Sequence, residues 1–145
     1  MSPDFFTSDA DLAAIGQGVL GLTLPKPRWT HAAHFACALW LIEKRGLAQA
    51  SRDMPAIIRA YNAATGVANT DSEGYHETIT QASLRAAHAM LVERPDAPLF
   101  VVGNALMASP LGKSAWLLDY WSRPVLFSVS ARRAWVDPDL AQLLF

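Results

Sequence analysis

Residues 32–42 constrain the fold more than any other stretch, because His34 alone interrupts their apolar run. Thr30 stands ahead of the run as a helix cap and Gly46 closes it after Arg45, so the spacing predicts a helix over residues 31–45. At about 100° per residue, His31, His34, Phe35, Ala38, Leu41 and Ile42 share one sector, while Leu39 and Trp40 fall away from it. A helix that is apolar nearly all round belongs at the centre of a bundle. The stretch falls well short of the roughly 20 residues that a membrane span needs, so no membrane is expected as a partner.

The flanking sequence supplies elements to pack around that helix. Ser8, Asp9 and Asp11 provide a cap and acids ahead of a first helix over residues 12–20, whose later turns Gly16 and Gly18 should weaken. Pro25 and Pro27 force an extended connection. Ser51 with Pro55 predicts a third helix opening at residue 51 and ending at Gly66, with Ile57, Ile58, Tyr61 and Ala64 as its inner stripe. Thr70 and Glu73 form a capping box ahead of a fourth helix over residues 75–93. Its core stripe is Tyr75, Ile79, Ala82, Ala86 and Met90, with Glu77, Leu84 and His88 on the far side. Shorter helices are expected over residues 99–108 and 113–121, then a strap over residues 122–145 with a helical turn near 128–133. The predicted class is all-α: four main helices in a bundle plus short helices and an irregular C-terminal strap, one domain over residues 1–145.

Composition narrows the function classes. At 52% apolar and 17% charged residues, the chain is rich enough in core-formers to fold without disulfides. A net charge of −1 gives no field to attract nucleic acid, and Arg123, Arg132 and Arg133 more naturally tie the strap to acids. Cys37, the only cysteine, reads as a small buried hydrophobe. Residues 1–11 carry acids and no basic region, unlike a signal peptide, so a cytoplasmic protein is expected.

Chemistry concentrates in two motifs, Trp29-Thr30-His31-Ala32-Ala33-His34 and Gly74-Tyr75-His76-Glu77-Thr78, which hold three of the four histidines. Both open helices. His31 and His34 are neighbours on one face, and a helix N-terminus disfavours imidazolium, which keeps the rings neutral. His31, His34 and His76 are therefore the expected ligands of a divalent transition metal, zinc or iron, beside a small-molecule ligand. Glu77 is the expected fourth ligand or the catalytic base acting on bound water. Adjacent helical residues diverge by about 100°, so His76 and Glu77 reach one ion only if the helix begins there. The competing reading is a non-enzymatic module, its histidines hydrogen-bonded in a pocket and its apolar surface docking a partner or a second copy as a homodimer.

The chain lacks H-E-x-x-H, paired E-x-x-H repeats, a phosphate-binding glycine loop and a G-x-S-x-G elbow, so the common hydrolase and nucleotide chemistries lose ground. At W-T-H-x-x-H, G-Y-H-E-T, Tyr120-Trp121-Ser122, Leu126-Phe127-Ser128, Ala131-Arg132 and Asp137-Pro138-Asp139-Leu140, it resembles an uncharacterised family of small bacterial proteins. The resemblance covers residues 29–140 and implies no particular activity. A looser, architectural likeness is to the metal-binding helical bundles related to mycothiol-dependent enzymes, which hold one metal with three histidines from two helices. Their second motif carries the histidine pair, whereas here the earlier helix does.

Overall fold

In the computed structural model, which describes residues 5–145, the chain forms four longer helices: α1 (Asp9–Leu20), α2 (His31–Ala64), α3 (Glu77–Glu93) and α4 (Leu99–Ala108). Two short helices follow, α5 (Arg123–Leu126) and α6 (Val129–Arg133), and 3-10 turns occupy Lys26–Arg28, Pro110–Gly112 and Ser114–Asp119. Residues 1–4, the start of the acidic N-terminal segment, lie outside the described residues. The fold is all-α, and no strand occurs among the described residues. No helix among them is long and apolar enough to cross a membrane.

Helix α2 is the axis of the bundle, as its apolar run requires. Thr30 caps it, Oγ1 accepting from the Ala33 N–H at 3.2 Å. Phe35, Ala36, Leu39 and Leu41 are all buried against α1, α3 and α4, whereas His34 keeps open surface. Two expected helices merge here. At Gly46 the backbone takes φ 79°, ψ 160°, a kink rather than a stop, and the second arm starts at residue 47 instead of 51. Pro55 therefore sits inside a helix, and the Ser51 carbonyl that its missing N–H leaves open accepts instead from Gln81 Nε2 at 3.0 Å. On that arm Ala50, Met54, Tyr61 and Asn62 are buried, Ile57 and Ile58 pack half-buried against the core as expected, and Ala64 is exposed.

Gly16 and Gly18 do not weaken α1. Both are buried, and a Cβ on Gly16 would stand 2.3 Å from the Trp40 ring, so glycine is what lets α1 approach α2. Ser8 occupies the N-cap position but makes no capping hydrogen bond. Asp9 instead reaches across to accept the Phe100 N–H at the start of α4, which has no side-chain cap of its own.

Helix α3 is buried on two sides, which the single stripe did not anticipate. Tyr75, Ala82 and Ala86 are buried as expected, but Leu84 on the supposed far side is only 1% exposed. The C-terminal strap covers part of that flank. Thr78 Oγ1 donates to the Ala134 carbonyl at 2.9 Å and accepts from the Val136 N–H at 3.2 Å, and Arg85 lies 4.0 Å over the Trp135 ring. Arg133 pairs with Asp71 through two hydrogen bonds, and Arg132 donates to the Gly74 and Tyr75 carbonyls. These bonds fasten the loop before α3 to the strap.

Candidate functional site

The first turn and second arm of α2, the start of α3 and the Ser114–Asp119 turn line a half-open cavity of about 520 Å³. His31, His34 and His76 all line it, along with Trp29, Phe35, Tyr75 and Trp116. No lysine, arginine, aspartate or glutamate does so among the described residues.

Each histidine is in a different chemical position. His31 Nε2 donates to the Leu111 carbonyl at 2.8 Å, because a carbonyl can only accept, and Nδ1 has no hydrogen-bond partner among the described residues. The Phe35 ring stands edge-on to it at 5.3 Å. His76 is the N-cap of α3, with Nδ1 accepting from the Ile79 N–H at 3.2 Å and Nε2 donating to the Leu126 carbonyl at 2.7 Å. Both of its nitrogens are thus engaged. The capping box expected of Thr70 and Glu73 closes a loop turn instead, the Thr70 hydroxyl accepting from the Ser72 and Glu73 N–H groups.

His34 is the free imidazole. Trp29 leans against it with ring centroids 3.8 Å apart, and its ring has no hydrogen-bond partner among the described residues. Its surface is open, yet that surface faces the cavity and protein surrounds it. Burial pushes its pKa down to about 4, with the neighbouring His31 adding to the shift, so the ring is neutral at pH 7. Burial also lowers the pKa of His76 and pushes the Cys37 thiol up to about 12, which keeps Cys37 protonated and unreactive.

Glu77 lies outside the cavity lining. Its Oε1 accepts from the Tyr75 hydroxyl at 2.7 Å and from Gln81 Nε2 at 3.0 Å. His76 precedes the helix and Glu77 is its first residue, so the two side chains diverge. The three histidines share a cavity, but no group of three or more histidine, cysteine, aspartate or glutamate side chains among the described residues stands close enough to hold an ion. As a donor set for zinc or iron they fit poorly, since His76 would have to release either its cap or the Leu126 carbonyl.

The cavity also has walls that the motifs do not contain. Trp116 and Leu117 come from a turn some eighty residues away, and the His31 to Leu111 bond anchors the segment just before it. Beyond the histidines, Asn62 on α2, Thr80 and Ser83 on α3, and Ser114 are the polar side chains of the lining. Ser83 at one turn beyond Ile79 was legible from the helical register; the Trp116 wall had no local signal.

Compared with known proteins, the chain matches no family model, no curated protein and no solved structure. The chemistry of the site accordingly rests on its own residues.

Proposed function

We propose that this chain is a small-molecule-binding protein whose ligand lies in the histidine-lined cavity, with His34 as the central polar contact. The observation that carries this reading is the contrast between His34, whose ring has no hydrogen-bond partner among the described residues, and His76, Glu77 and Ser83, which each have one. His76 is committed at both nitrogens, Glu77 is held by Tyr75 and Gln81, and the Ser83 hydroxyl donates to the Ile79 carbonyl at 2.7 Å. A base with a pKa near 4 is poorly matched to proton transfer at pH 7, whereas a neutral imidazole in an apolar cavity is a good hydrogen-bonding anchor. A cavity of about 520 Å³ falls within the usual range for small-molecule sites.

The test is binding of a neutral solvatochromic dye, Nile red, to untagged protein. Wild type should enhance its fluorescence saturably, and Ala38→Phe or Ile58→Trp, each adding bulk at a residue lining the cavity, should abolish the enhancement while melting cooperatively. Equal enhancement in wild type and both variants would sink the reading. So would elemental analysis showing a stoichiometric metal whose removal by chelator unfolds the protein.

A further inference from the structure

We propose that the cavity selects by charge, taking an uncharged molecule built on an aromatic ring system and rejecting ions of either sign; this rests on the binding-protein reading above. The walls hold no formal charge of their own. No lysine, arginine, aspartate or glutamate lines the cavity among the described residues, and the charges close behind the lining are engaged elsewhere. Glu77 accepts from Tyr75 and Gln81, Arg132 donates to the Gly74 and Tyr75 carbonyls, and Arg59 lies 4.5 Å over the Tyr75 ring. The helix starts beside the cavity already have their caps, the Thr30 hydroxyl on α2 and His76 Nδ1 on α3.

An ion in this cavity would lose water without meeting an opposite charge, and His34 does not readily supply one. Its pKa is held at about 4 by burial and by the neighbouring His31, so protonating it at pH 7 to meet an anion crosses about three units, roughly a thousandfold in population. His76 is shifted the same way and has both nitrogens engaged, while His31 donates to the Leu111 carbonyl. Burial, with the bond to Glu77, raises the pKa of Tyr75, so its phenol stays neutral too. Hydrogen-bonding sense gives no such selection. Trp29 and Trp116 bring ring N–H donors, the Ser83 hydroxyl spends its hydrogen on the Ile79 carbonyl and keeps lone pairs, and the neutral His34 has one N–H and one lone pair. Donors and acceptors on a ligand are both usable, and its charge is what the lining discriminates. Trp29, Phe35, Tyr75 and Trp116, with Met54, offer ring faces, ring edges and a thioether suited to an aromatic body.

The test uses one molecule in two charge states, 7-hydroxycoumarin, whose hydroxyl ionises a little above neutral pH, beside 7-methoxycoumarin, which does not ionise. In calorimetric titrations of the full chain, the methoxy compound should bind equally at pH 7 and pH 9, while the affinity of the hydroxy compound falls with its neutral fraction, by about tenfold. For the opposite sign, 2-naphthylmethanol should bind at pH 7 about tenfold or more tightly than 2-naphthylmethylammonium. Ala38→Phe and Ile58→Trp, which fill the cavity, should abolish binding of the neutral probes. A hydroxycoumarin affinity that falls no more than that of the methoxy compound, an ammonium that binds as tightly as the alcohol, neutral probes that still bind both filled variants, or Nile red binding with none of these ring probes would overturn the ligand class alone. Absence of Nile red binding as well would overturn the binding reading beneath it.

Discussion

His76 shows how a histidine can be prominent in a motif and structural in the fold. One side chain caps α3 and satisfies the Leu126 carbonyl, so it joins the start of a long helix to the C-terminal strap. His76→Ala removes a cap, which costs about 1 kcal/mol, and strands a buried carbonyl, which costs about 1–3 kcal/mol more. His76→Asn retains the cap and should recover about 1 kcal/mol of that loss in urea unfolding. Equal stability of wild type and His76→Ala would refute the structural role. Glu77→Gln should change stability by only a few tenths of a kcal/mol and leave Nile red binding intact, because its acceptor oxygen survives and only first-turn charge is lost. A loss of binding in that variant would return Glu77 to the site. The sharing of one cavity by three histidines was legible from motif spacing, since both motifs open helices. Their separate roles were not, because those depend on the Leu111 and Leu126 carbonyls, eighty and fifty residues distant in sequence.

Among the elements, the kinked α2 departs furthest from what its sequence suggests. Ser51 and Pro55 carry the signals of a helix start, and in isolation they would make one. Gln81, on a different helix, offsets the lost hydrogen bond by donating to the Ser51 carbonyl; the arm begins at residue 47 and the apparent cap lies within it. Local propensity could not report a donor thirty residues away. Gly46 bears the remaining geometric burden, since φ 79° with ψ 160° belongs to a region open almost only to glycine. Gly46→Ala meets no neighbouring atom, so its cost should be purely conformational, about 1–3 kcal/mol in a urea midpoint shift. An unchanged midpoint would mean that the two arms of α2 can meet at another angle. The all-α class and the buried helix 32–42 were legible because a run that apolar admits few placements; the strap over α3 was not, because Thr78 and Arg85 hold it through tertiary contacts.

For the molecule as a whole, the neutral histidines couple folding to acidity. His34 and His76 both titrate below the ordinary value of 6.5, mainly through burial, with His31 lowering the first further and Arg132 the second; the Leu126 carbonyl and Glu77 oppose the shift at His76. Above pH 6.5 these rings are neutral whether the chain is folded or not, and they make stability independent of pH. Below it the unfolded chain takes up protons that the folded one refuses, so stability falls as pH drops from 6.5 toward about 4. Asp11, Asp53, Asp71 and Asp139 titrate below their ordinary 3.8 because Thr7, Arg45, Arg133 and Ser122 hydrogen-bond their ionised forms, so their contribution is lost only at still lower pH. The two windows separate. The melting temperature should therefore be level from pH 8 to pH 7 and decline between pH 6.5 and about 4, without any response to chelator. His34→Phe should make the decline shallower, and a melting temperature that stays level down to pH 5 in wild type would show that neither ring is kept neutral by the fold.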